Sequence, residues 1–112
     1  MKIVNLQQFL ALPAETLFAK YQPCVFGDWE IKVGNAGQQD FYTQAINGAI
    51  AFNDTGEFVD RLTDAEENGV SIAMDFDTSM RDGLFEDKQL FAIYERPDIE
   101  ALIARLQRCL AT

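Results

Sequence analysis

Hydrophobic residues recur along this chain in two rhythms, every second position and every third or fourth, and the changes of rhythm mark off its elements. Asn5 and Gln8 stand three apart, ahead of Leu6, Phe9 and Leu10. That spacing predicts a capping box opening a short helix, which Pro13 ends. "TLFAKYQ" (16–22) has strand composition, and "DWEIKV" (28–33) alternates. The alternation predicts Trp29, Ile31 and Val33 on an inner face, with Asp28, Glu30 and Lys32 outside. Pro23 and Gly27 mark the connection between these two strands.

After a loop at 35–39, "FYTQAI" and "AIAF" flank Asn47-Gly48. The dipeptide predicts a two-residue hairpin. The alternative is a helix through 40–52 with Phe41, Ala45 and Ala49 on one stripe, but a mid-helix Asn-Gly would cost about 1 kcal/mol or more. Asp54 and Glu57 open a central helix over about 55–68, with Phe58, Leu62 and Ala65 inward. A Glu57–Arg61 pair is expected one turn apart, and Asn68-Gly69 forms the stop. "VSIAMDF" (70–76) predicts a strand with Val70, Ile72, Met74 and Phe76 inward. "QLFAIYE" (89–95) is apolar on both faces, as in a central strand. Pro97 begins a C-terminal helix over about 98–110, whose stripe of Ile99, Leu102, Ile103, Leu106 and Leu110 is expected to be core. Arg105 and Arg108 sit near its end, where the backbone dipole favours cations.

The predicted order is therefore α-β-β-(β-β)-α-β-β-α with short connections. It implies one α+β domain over 1–112, a single mostly antiparallel sheet with the three helices packed on it. At 112 residues and 48% apolar, with nine Phe, the chain has material for one core. No apolar run approaches the ~18 residues of a membrane span. "MKIVNLQQFLALPA" imitates a signal peptide, yet Asn5, Gln7 and Gln8 break its apolar run. Cys24 and Cys109, 85 residues apart, match no metal or redox spacing and are expected as half-buried free thiols. A soluble cytoplasmic protein is the expectation.

Charge changes the picture more than any motif. The net charge is −9, and residues 54–87 alone hold eleven acids against Arg61 and Arg81. The seven acids and seven bases elsewhere cancel. This placement argues against direct contact with nucleic acid or an anionic membrane, and for a basic protein surface as partner. The absence of histidine removes Ser-His and Cys-His pairs, imidazole ligands and the commonest general base. No base–nucleophile constellation can be written down, so the expectation is a protein that is not an enzyme and uses no cofactor.

The candidate chemistry gathers in "MDFDTSMRDGLFED" (74–87). "IAMDFDTS" resembles the first motif of haloacid-dehalogenase-type phosphatases, in which Asp75 would be the nucleophile and Asp77 the general acid. That family has Thr or Val where Ser79 stands. It also needs a parallel sheet, a lysine and a downstream acidic pair, and only 35 residues, with Lys88 as their sole lysine, follow Asp77. Asp75, Asp77, Ser79 and Glu86 also meet the first, third, fifth and twelfth ligand places of a calcium loop. Met80 occupies that pattern's obligatory glycine, and Asp82 its apolar position. In an extended strand Asp75 and Asp77 would share the wet face about 6–7 Å apart.

The reading best supported is a small acidic binding or regulatory protein of inhibitor, immunity or phage counter-defence type. Its acidic 54–87 surface, represented by Asp60, Asp64, Glu66, Glu67, Asp75, Asp77, Asp82, Glu86 and Asp87, would dock a basic protein. That partner could itself bind nucleic acid, since carboxylates ~7 Å apart match the phosphate spacing along one DNA strand. A calcium- or magnesium-responsive domain using the 75–86 loop, and a small domain without a dedicated site, are the alternatives. Oligomeric state is not readable from these patterns.

Overall fold

The computed structural model describes residues 1–111. Its elements run β1 (Lys2–Asn5), α1 (Leu6–Leu10), β2 (Thr16–Gln22), β3 (Val25–Ala36), β4 (Asp40–Ala45), α2 (Thr55–Asn68), β5 (Met80–Arg81), β6 (Leu90–Tyr94) and α3 (Arg96–Leu110). All six strands form one antiparallel sheet in the order β1-β6-β2-β3-β4-β5. The α+β class, the single antiparallel sheet and the three helices are those the sequence predicts. Among the described residues, no helix is long and apolar enough to cross a membrane.

The core is built from four phenylalanines. Phe9 of α1 stacks on Phe91 with ring centres 4.1 Å apart, and meets Phe18 edge-on at 4.7 Å and Phe41 at 4.9 Å. Val4, Leu6 and Ile93 complete the cluster. The expected capping box holds α1 in place: Asn5 Oδ1 accepts from the Gln8 N–H at 2.8 Å, and Gln8 Oε1 from the Asn5 N–H at 2.9 Å. β6 lies between β1 and β2 with Phe91, Ala92 and Ile93 all buried, as its two-sided apolarity requires.

Several expectations are corrected. Residues 2–5 form a strand, on the outer side of β6. The return arm of the Asn47-Gly48 hairpin is absent. The edge of β4 that it would occupy is taken by β5, through Tyr42↔Arg81 and Thr43↔Met80. Residues 70–76 form no strand either, because β4 is paired by residues further on. This segment is instead held by the Asp75 N–H on the Ala49 carbonyl (2.7 Å) and by the Gln44 side chain on the Phe76 carbonyl. Val70, Met74 and Phe76 are consequently exposed.

The inner and outer faces of β3 are also exchanged. Register places Glu30 beside Phe18, on the face that α1 covers. Lys32, on that same face, is 1% exposed. Trp29 and Ile31 take the opposite face, where Trp29 stacks on Tyr94 at 4.7 Å, and Val33 falls at a bulge and is exposed. The cause lies in α1. Its C-terminal end presents carbonyls without helical partners, and Lys32 Nζ donates to the carbonyls of Phe9 (3.1 Å), Leu10 (3.1 Å) and Leu12 (2.6 Å).

The two long helices form over the expected spans but pack shallowly. Asp54 caps α2 by accepting from the Glu57 N–H at 2.7 Å, and Gly69 closes it at φ 67°. Neither α2 nor α3 buries a residue completely. Phe58 rests on Phe52 at 4.7 Å, while Leu62 stays exposed. Along α3, Ile99 and Leu102 are half-buried, but Ile103 is 51% and Leu110 87% exposed. The stripe expected as core is thus core only at its start. The chain exposes 7813 Å², against about 6,200 Å² for a compact monomer of 12.6 kDa. Its radius of gyration of 15.8 Å likewise exceeds the ~13 Å expected for a compact chain of this length.

Candidate acidic surface and adjoining cleft

On α2, Glu57, Asp60, Asp64 and Glu67 recur at i, i+3, i+7 and i+10, a single helical stripe. Phe58, Leu62 and Ala65 occupy the other side of the helix, so the acids point away from the apolar stripe. Asp54, Glu57, Asp60 and Asp64 line one shallow, open hollow with Gly56 and Arg61. Glu66 lies off this stripe, one turn beyond Leu62. Asp60, Asp64, Glu66 and Glu67 are all exposed, and Asp64 accepts from the Asn68 amide at 2.7 Å. The expected Glu57–Arg61 pair is not made. Arg61 donates to the Ala51 carbonyl, and Glu57 accepts from Asn53 at 3.0 Å.

The remaining acids divide. Asp77, Glu86 and Asp87 are exposed. Asp75 is half-buried and accepts from the Asp77 N–H at 2.8 Å, an Asx-turn in place of the predicted strand end. The strand-based match to DNA phosphate spacing therefore has no structural support. Asp82 is withdrawn from the surface set, being paired with Lys20 in a half-buried position. It is the only one of the eleven acids in 54–87 that forms an ion pair among the described residues.

Asp75, Asp77, Ser79 and Glu86 do not assemble as a cation site. Among the described residues, no three His, Cys, Asp or Glu side chains come together as ligands. Cys24 and Cys109 are both exposed rather than half-buried as expected. Cys24 sits at φ 65° in the β2–β3 turn, which lifts it out of the sheet.

Three charged groups of the sheet strands that sequence reasoning did not single out are withdrawn from solvent. Asp40 is 1% exposed. Its two oxygens accept from the Gly83 N–H and from Arg81 Nε, each at 2.9 Å. The Gly83 N–H above all, with help from Arg81, holds its carboxyl below the ordinary value. Lys32 is pushed down by burial. Glu30 accepts from the Thr43 hydroxyl at 3.0 Å, and burial pushes its carboxyl up. Glu30 and Thr43 line a cleft of about 350 Å³ between the sheet, the 48–52 segment and residues 78–80. Its residues come from four separated parts of the chain, so no sequence pattern could have announced it.

Compared with known proteins, the chain matches no family, no curated protein and no solved structure.

Proposed function

We propose that this protein is a small non-enzymatic binding module whose acidic 54–87 segment docks on a basic protein surface. One observation carries the reading: among the described residues, the segment's carboxylates form no ion pair with a cation of their own chain, Asp82 excepted. Four of them form one stripe along α2. An uncompensated, solvent-facing field of one sign steers a cationic partner toward the surface and accelerates association. The large exposed area and the open apolar stripes of α2 and α3 also suit a chain that completes its packing against another molecule. Inhibitors and immunity-type proteins belong to this physical class, and a nucleic-acid-binding protein is one kind of partner with a basic face. A solvent-bathed acidic face without a partner is the competing account.

Affinity capture from host lysate on the immobilised chain, eluted in steps from about 50 to about 500 mM salt, separates the two. The proposal expects basic proteins that leave within this range and are lost with Asp60→Asn/Asp64→Asn/Glu67→Gln. Capture indifferent to both salt and these substitutions would overturn it.

A further inference from the structure

Glu30 is a half-buried carboxylate in the middle of β3, and among the described residues its only hydrogen-bond donor is the neutral hydroxyl of Thr43. Among the described residues it forms no ion pair. The charged groups near it are Lys20 of β2, Asp82 after β5 and Asp28 of β3 itself. Lys20 is committed to Asp82, and both aspartates repel Glu30. An ionised carboxylate removed from water is costly unless a cation meets it. Lys20 attracts Glu30 but gives its ion pair to Asp82, so among the described residues no cation pairs directly with the Glu30 carboxylate.

The same carboxylate stands on the wall of the 350 Å³ cleft, at the small end of the ~300–1,000 Å³ range typical of ligand sites. The other walls include Ala45, Ile50, Phe52 and Met80. Gln44, Thr78 and Ser79 add neutral polar groups, and Glu30 is the single charged one. A mainly apolar wall with one acid fits an alkyl chain ending in an ammonium, which buries its methylenes and keeps its charge for the carboxylate. Thr43 occupies one Glu30 oxygen, Oε1, and no other hydrogen bond to the carboxylate is made among the described residues. One free acceptor suits the compact charge of an ammonium better than the planar fork of a guanidinium, which calls for two.

We infer that this cleft is a lysine pocket: it receives a lysine side chain of the basic partner, with the stem against Ile50, Phe52 and Met80 and the ammonium on Glu30. The inference deepens the proposed function and rests on it for the source of the lysine. Residues 78–80 of the wall belong to the acidic segment. The segment that carries the excess charge therefore also supplies one wall of the pocket.

The test titrates Nα-acetyl-lysine N-methylamide into the full chain and follows the Met80 methyl and the Thr43 amide by NMR. Its neutral isostere, the norleucine amide, is the comparison. The pocket predicts saturable shifts with the lysine amide at about 1–10 mM, at least ten-fold weaker with norleucine amide and with Glu30→Gln. Ala45→Leu, which fills the cleft and leaves Glu30 in place, should also abolish them. Binding should strengthen as pH rises through the Glu30 titration. Equal binding of norleucine amide, retention by Glu30→Gln, or no saturable shift in the wild type would each overturn the inference. The α2 variant Asp60→Asn/Asp64→Asn/Glu67→Gln must leave this titration unchanged while weakening capture. Failure of the pocket and failure of the acidic docking surface are thereby told apart.

Discussion

Replacing Lys32 by Met isolates the buried ammonium that fastens α1 to the sheet. The magnitude follows from what each carbonyl keeps. The Phe9 carbonyl also accepts from the Leu12 N–H at 3.0 Å, and the Leu10 carbonyl from the Asn35 amide at 2.9 Å. Only the Leu12 carbonyl loses its side-chain donor without a substitute. An acceptor left unsatisfied costs about 1–3 kcal/mol. The methionine keeps most of the stem's packing and removes an ammonium whose burial opposes folding, which offsets part of that loss. The expected net is a destabilisation of about 1–2 kcal/mol, a fall in Tm of roughly 5–10 °C. Thermal unfolding followed by circular dichroism reads it. Burial lowers the Lys32 value, so between that value and the ordinary 10.5 the unfolded chain holds the proton more tightly than the folded one. Wild-type stability therefore rises with pH through that window, and below it the burial cost is fully present. The methionine variant lacks this rise, so its deficit should widen toward pH 10. A variant at least as stable as wild type from pH 6 to 10 would refute the claim that these carbonyl bonds outweigh the buried charge.

Three further outcomes follow from the same geometry. Asp40 titrates below its ordinary 3.8, so it contributes stability above that value that is lost as pH falls through its folded value. Asp40→Asn should therefore lower Tm at neutral pH and flatten the loss on acidification. Glu30 is shifted the other way, so stability falls as pH climbs from 4.5 through its folded value. Glu30→Gln should raise Tm at pH 7 and leave it unchanged well below pH 4, and a lower Tm at pH 7 would contradict the account of Glu30 as an uncompensated charge. Cys24→Gly relieves a left-handed residue at φ 65° and should stabilise the chain by about 0.5–1 kcal/mol in urea unfolding.

The helices were legible because their signals are local. Asn5 with Gln8, Asp54 with Gly69, and Pro97 each fix an end through backbone groups within a few residues. β6 was legible because apolarity on both faces has one strand interpretation. What failed depended on partners distant in sequence. Alternation in 28–33 separates two faces but does not say which is inner, and the carbonyls at the end of α1 decided that by drawing in Lys32. Residues 70–76 carry strand composition, yet β4 pairs with Met80 and Arg81 instead. The acidic segment was legible as composition, and its exposure on α2 follows from helical spacing. That Asp82 would be taken by Lys20, 62 residues away, was not legible. Nor was the convergence of Glu30, Thr43, Ile50 and Met80 on one cleft.

The acidic docking surface stands or falls on association kinetics with a captured basic partner, measured from about 50 to about 500 mM salt. The account predicts an association rate that drops steeply with salt, and a shallower slope for Asp60→Asn/Asp64→Asn/Glu67→Gln because fewer charges steer the encounter. An association rate flat in salt, or identical slopes for the two proteins, would contradict it.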